Sequence, residues 1–155
     1  MKKVVLSLVA VMMLCAAAVQ AQPIKVSLWG PICVPNDDIT TGLEIAIGTQ
    51  TQEVKGLQLA LIYAQADKFT GVQYSLVNNT NDGLGAQLGF VNLAQDMKGL
   101  QYGFVNWTKG KMTGLQLGLV NYTESMKGVQ IGLVNIIKNN PQFLPVFVFF
   151  NFCFA

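Results

Sequence analysis

Apolar and polar residues alternate along most of this chain, in short segments that resemble one another. In residues 114–121, Leu115, Leu117 and Leu119 occupy every second position, and Gln116 lies between them. A period of two is the signature of a β-strand, because successive side chains of a strand point to opposite faces. The segment therefore predicts a strand with one apolar face and one face of glycine and glutamine.

The segment recurs along the chain as a repeat of the form G-[LV]-Q-[LIY]-G-[LF]-V-N. The glycines that begin the seven clear copies follow one another at steps of 14 or 15 residues: Gly42, Gly56, Gly71, Gly85, Gly99, Gly114 and Gly128. A degenerate eighth copy covers residues 144–151. Polar spacers with turn-forming residues separate the copies. Each copy therefore predicts one strand, and residues 41–154 predict a tandem array.

Two all-β architectures place one strand in each repeat. In a β-solenoid each repeat is one coil, and equivalent residues stack in ladders. In an up-and-down barrel the repeats would be eight strands, but three apolar residues at alternate positions span only about 13 Å, short of the ~25 Å apolar band of a membrane barrel. The sequence favours a β-solenoid of 14–15-residue repeats with a structural or interaction role. The alternative is a small eight-stranded up-and-down β-barrel, integral to the outer membrane, that acts as a small pore or an anchor.

The inner face of such a solenoid is expected to be the apolar one. The Leu, Ile and Phe positions of the repeat then fill the interior, and glycine and glutamine form a flat exposed face. On this assignment Leu117→Asp disrupts the fold, because it buries an unpaired carboxylate. Gln116→Ser is expected to change the stability by less than ~0.5 kcal/mol.

The first 21 residues predict a signal peptide. Lys2 and Lys3 precede an apolar stretch, and Ala21 ends a small-residue site for cleavage before Gln22. The protein is therefore expected to be exported, to the cell surface, the outer membrane or the medium. The predicted division of the chain is residues 1–21 as signal peptide, 22–40 as N-terminal segment and 41–155 as repeat domain with an aromatic C-terminal strand.

Composition and charge restrict the chemistry. The chain has no histidine, and its ten basic residues are all lysine. Loss of Lys2 and Lys3 with the signal peptide leaves eight lysines against eight acidic residues, so the mature chain is neutral and offers no electrostatic footprint for nucleic acid. Without imidazole there is no Ser-His-Asp or Cys-His catalysis. We predict no enzymatic activity, no metal and no cofactor.

Two cysteines remain after cleavage, Cys33 and Cys153, near opposite ends of the mature chain. The ends of a straight solenoid of about eight coils, spaced ~4.8 Å apart, are about 35 Å apart. A disulfide requires Cα atoms within about 7 Å. The solenoid thus predicts no bridge between them within one chain, whereas a closed barrel would allow one.

The repeat resembles that of bacterial surface-repeat proteins, known from leptospires and other Gram-negative bacteria, which carry tandem G-[LV]-Q-[LIY]-G-[LF]-V-N units. The resemblance extends to the opening of the mature chain, residues 26–32, and to its aromatic end, residues 144–154. It implies export and association with the cell surface. It implies no established activity, so it transfers no site residues.

The asparagine that ends each repeat, together with two aromatic residues that follow it, is the predicted interaction surface. Its members are Asn78, Asn92, Asn106, Asn121, Asn135, Trp107 and Tyr122. The copies at Gly42 and Gly56 depart from the pattern, with Thr49 and Tyr63 in place of asparagine. The expected partner is a surface component or the outer membrane. A second copy of the chain, contacted through the C-terminal strand, is a further candidate.

Overall fold

A computed structural model describes residues 24–29, 32–34 and 38–154. The signal peptide predicted over residues 1–21 lies outside them. The described part is all-β, and its strands form a single sheet. The strands are β1 (Ile24–Trp29), β2 (Ile32–Val34), β3 (Ile39–Tyr74), β4 (Val77–Leu88), β5 (Val91–Tyr102), β6 (Val105–Leu117), β7 (Val120–Ile137) and β8 (Val146–Cys153).

Successive repeats stack in register, one coil beside the next. Strands β3 to β7 pair in parallel, and Gly71, Gly85, Gly99 and Gly114 are direct neighbours in this pairing. One repeat is therefore one coil, and the fold is the β-solenoid that the repeat spacing predicts. The sheet order β2-β1-β3-β4-β5-β6-β7-β8 is open. Because the coils are parallel and the sheet does not close, the alternative of an up-and-down barrel is wrong.

Strands outside the clear repeats pair with the first and last coils. β1 runs parallel to the first coil, with Ile24 beside Leu43. β8, formed by the degenerate eighth copy, runs antiparallel to β7, so the apolar C-terminal strand docks on its own neighbouring coil. Cys33 in β2 and Cys153 in β8 thus lie at opposite ends of the sheet, and no disulfide joins them.

The interior is the reverse of the predicted one. Gln116 is fully buried, whereas Leu119 is 48% and Tyr102 is 59% exposed. The glutamines at the third repeat position are all buried: Gln58, Gln73, Gln87, Gln101, Gln116 and Gln130. The assignment of the Leu, Ile and Phe face to the interior is therefore wrong, because these side chains point outward. The expected order of sensitivity of Leu117 and Gln116 is reversed with it.

Two amide ladders make this polar interior stable. From Gln73 onward, each glutamine Nε2 donates to the Oε1 of the glutamine in the previous coil, at 2.7 Å both from Gln130 to Gln116 and from Gln116 to Gln101. From Asn78 to Asn121, each asparagine Nδ2 donates to the Oδ1 of the asparagine in the next coil, at 2.8 Å from Asn92 to Asn106. A buried amide is costly only when its hydrogen bonds are missing. The repetition supplies those bonds, since every coil brings the same amide to the same place.

A smaller apolar core occupies the part of the interior that the spacers enclose. Met97, Met112 and Met126 are register neighbours in successive coils. They form one buried cluster that also includes Phe69 and, in β8, Cys153. The segments predicted as polar turns therefore contribute the hydrophobic core.

The glutamine ladder begins at an acid. Gln58 Nε2 donates to Glu44 Oε2 at 2.9 Å, and Thr51 Oγ1 donates to Glu44 Oε1 at 3.0 Å. An ionised carboxylate accepts hydrogen bonds and cannot donate them. It therefore suits the first position of the ladder, to which neighbouring side chains donate and which has no earlier glutamine to donate to. Lys25 Nζ of β1 lies 3.8 Å from Glu44 Oε1, and both side chains are buried.

We expect Glu44→Gln to lower the free energy of unfolding by about 2 kcal/mol. The new amide brings a donor to a position toward which Gln58 and Thr51 already donate, and it removes the carboxylate beside Lys25. Urea unfolding followed by far-ultraviolet circular dichroism measures the change.

Glu124→Gln is the matched control for this substitution. Glu124 is paired with Lys138 at 3.1 Å on the surface, where an ion pair contributes little. Its loss should change the stability by less than ~0.5 kcal/mol. Equal stabilities of the two variants would contradict the role given to Glu44.

Candidate functional site

The outward apolar residues of the repeat form a groove that runs along the stack of coils, with a volume of about 720 Å³. One wall consists of residues at the fourth repeat position: Tyr74, Leu88, Tyr102, Leu117 and Ile131. The other wall consists of residues at the sixth position: Leu61, Leu76, Phe90, Phe104 and Leu119. Small residues at the fifth position lie between them: Ala60, Ser75, Gly89, Gly103, Gly118 and Gly132. The groove therefore arises from a large–small–large pattern repeated in every coil.

The floor is narrow because the chain bends there and the asparagine ladder lies directly behind it. The bend falls at Gly89 and Phe90 in one coil, and at residues 75–76, 103–104 and 118–119 in three others. A Cβ added at Gly103 would overlap the carbonyl oxygen of Gly89 and would lie 2.7 Å from Asn92 Nδ2. Asn92 Nδ2 also donates to the Tyr102 carbonyl at 2.9 Å, which fixes the bend. The asparagines thus shape the groove from the inside.

The structure separates the predicted interaction surface into buried asparagines and a pair of aromatic residues outside the groove. Its five asparagines are completely buried: Asn78, Asn92, Asn106, Asn121 and Asn135. They therefore cannot contact a partner. Their assignment to a surface is wrong because their side chains form the asparagine ladder inside the coils. In the copy that begins at Gly56, Tyr63 occupies the asparagine position of the repeat, but the strand neighbour of Asn78 is Ala64. Trp107 and Tyr122 do lie together, with stacked rings 4.1 Å apart, but beyond the groove.

The groove offers an occupant few hydrogen bonds. The carbonyl before a bend is already in use, since Leu88 O accepts from Ser75 N at 3.2 Å and from Asn78 Nδ2 at 2.9 Å. A carbonyl oxygen has two lone pairs, so this one is saturated. The Ser75 hydroxyl donates to Asn78 Oδ1 at 3.0 Å. The exposed phenols of Tyr74 and Tyr102 remain, and they belong to one wall.

Charge is confined to other parts of the coil. None of the described residues that line the groove is charged. The exposed charged side chains of the repeat region lie in the spacers: Lys55, Asp67, Lys68, Asp82, Asp96, Lys98, Lys109, Lys111, Lys127 and Lys138. Here the hydrogen bond and the charge of Glu124 raise the pKa of Lys138. The exterior is therefore amphipathic, with an uncharged groove and charged spacers.

The groove residues were not predicted as a site, although the sequence contains a signal for them. In Tyr102-Gly103-Phe104, as in the other later copies, a glycine separates two large apolar residues. Glycine in a strand marks a bulge, a bend or a close approach. The alternation in the sequence predicts a flat glycine and glutamine face, and therefore no bend at this glycine. Without a bend, the two large residues on either side of the glycine do not form a groove.

Within residues 24–29, 32–34 and 38–154, no group of three or more Cys, Asp and Glu side chains is placed to hold a metal ion. Within the same ranges, no helix is long and apolar enough to cross a membrane. Comparison of the chain with family models, curated proteins and solved structures finds no match.

Proposed function

We propose that this protein is exported and acts at the cell surface as a non-enzymatic repeat protein with a structural or interaction role. The groove is the observation that carries the proposal. Large exposed apolar patches are uncommon on soluble monomers and mark surfaces that contact another molecule. The resemblance of the repeat to bacterial surface-repeat proteins and the signal-peptide pattern before Gln22 support the location.

The placement of the polar side chains supports a binding role over a catalytic one. A reaction centre needs acid, base or nucleophilic groups that converge on a substrate. The repeat's glutamines and asparagines bond to one another inside the coil, as Gln101 does to Gln87 at 2.8 Å. The buried ion pair of Lys25 and Glu44 lies at the end of the ladder, away from the groove. The groove itself presents side chains that pack and do not react.

We expect a membrane-impermeant amine reagent to label the protein on intact producing cells. Lys98, Lys111 and Lys127 are exposed and give the reagent access wherever the folded chain is outside the cell. N-terminal sequencing of the labelled protein should begin at Gln22. A variant without residues 2–21 is the control, and it should be labelled only after lysis. Labelling of the full-length protein that also requires lysis would contradict the proposal.

A further inference from the structure

We infer that the groove binds a single long aliphatic chain of the fatty-acid type, which lies parallel to the axis of the coils. The inference rests on the interaction role proposed above and names the chemistry of the partner. It draws on the charge, the hydrogen bonding and the length of the groove.

The shortage of free hydrogen-bonding groups in the groove favours a hydrocarbon chain over a peptide as the occupant. A bound peptide would remove its N–H and C=O groups from water, and these groups would need partners in the protein. The carbonyls that precede three of the bends cannot serve, since each of Leu88 O, Tyr102 O and Leu117 O accepts both a backbone N–H and an asparagine Nδ2. An aliphatic chain has no such groups to satisfy and gains from burial against apolar walls. The uncharged lining fits the hydrocarbon part of a fatty acid for the same reason.

The dimensions also fit one extended chain. The groove passes six successive coils, from Ala60 to Gly132, and at ~4.8 Å for each step it is about 24 Å long. The hydrocarbon of one bilayer leaflet is about 15 Å thick, half of the core of a membrane. An acyl chain of membrane-lipid length therefore lies within the groove. Along one wall the rings of Phe90 and Phe104, in neighbouring coils, meet edge to face at 4.9 Å.

The test uses cis-parinaric acid, a fatty acid with a fluorescent polyene chain, and the mature protein. We expect saturable binding that palmitate displaces. Leu119→Lys places an ammonium group on the groove wall and should weaken binding by about tenfold or more, because a charge beside the bound chain loses its hydration. Leu84→Lys is the matched control: Leu84 is 49% and Leu119 48% exposed, but Leu84 lies in a spacer, beside Thr70 and Lys98. It should bind the probe as the wild type does.

Circular dichroism first confirms that both variants are folded, which their exposed positions favour. Absence of saturable binding by the wild type would overturn the inference, and so would equal weakening by Leu119→Lys and Leu84→Lys. If the wild type does not bind the probe and sediments as a dimer that Leu119→Lys dissociates, the occupant is a second copy and the inference is wrong. Binding to phosphatidylcholine vesicles without binding to the monomeric probe also overturns it. Surface labelling of intact cells is independent of all these outcomes, so the proposed location and the proposed ligand fail separately.

Discussion

Replacement of Gly99 by alanine is expected to lower the free energy of unfolding by about 4 kcal/mol or more. Gly99 has a φ of 130°, a backbone angle that L-residues with a side chain rarely adopt. A Cβ there would also overlap the carbonyl oxygen of Gly85 in the previous coil. Both coils are held in parallel register on either side of this point, so neither backbone can withdraw without breaking the pairing. Urea unfolding monitored by circular dichroism measures the loss.

Gly83→Ala is the matched control, since it makes the same chemical change in the neighbouring coil. A Cβ at Gly83 would meet the Met97 Sδ and the Phe69 Cε1, each at 2.6 Å. These atoms are the far ends of side chains, which can move, and methionine adapts readily. We expect a loss of about 1–2 kcal/mol at this position. If Gly83→Ala were as destabilising as Gly99→Ala, the close backbone contact between the repeat glycines would not explain the loss of stability at Gly99.

The stacking of the coils could be predicted from the sequence because it depends on spacing alone. The steps of 14 residues from Gly71 to Gly85 and from Gly85 to Gly99 bring identical residues into register only if each step closes one coil. The separation of Cys33 from Cys153 followed from the same argument. Neither prediction required knowing which face of the strand is buried.

The choice of the buried face could not be made from alternation. A period of two assigns Leu117 and Gln116 to opposite faces, and the general preference of apolar residues for the interior then selects the wrong one. The preference fails here because the coil at Gln116 has a coil on each side that carries the same amide. A glutamine without such neighbours would be costly to bury. One signal was present: the third position is glutamine in six copies and glutamate in the first, whereas the fourth position varies among Ile, Leu and Tyr.

The two ladders run in opposite directions, which explains the residues at their ends. The glutamine amides donate toward the N-terminal coil and therefore begin at an acceptor, Glu44. The asparagine amides donate toward the C-terminal coil, so their first member, Asn78, needs a donor, and Ser75 Oγ supplies it. Gln130 Oε1 ends the glutamine ladder and is one of the buried atoms of the described residues without a hydrogen bond.

Gln116→Leu is expected to lower the free energy of unfolding by about 3 kcal/mol, although leucine is the more apolar residue and of similar size. The substitution removes the donor to Gln101 Oε1 and the acceptor of Gln130 Nε2, each at 2.7 Å. Both remaining amides stay buried and lose a ladder hydrogen bond that water cannot replace. The glutamine ladder is thereby cut between two coils, and unfolding should begin at that level.

Leu119→Gln, the reciprocal exchange three residues away, is the control that decides between the two views of the interior. Leu119 is 48% exposed on the groove wall, so the change should alter the stability by less than ~0.5 kcal/mol. An interior of Leu, Ile and Phe would require the opposite order, with Leu119→Gln the more damaging. Urea melts of the two variants beside the wild type give the order directly. Because leucine at position 116 adds apolar surface, a loss of stability there measures the hydrogen bonds of the Gln116 amide, which include the two of the ladder and the one to the Tyr122 carbonyl.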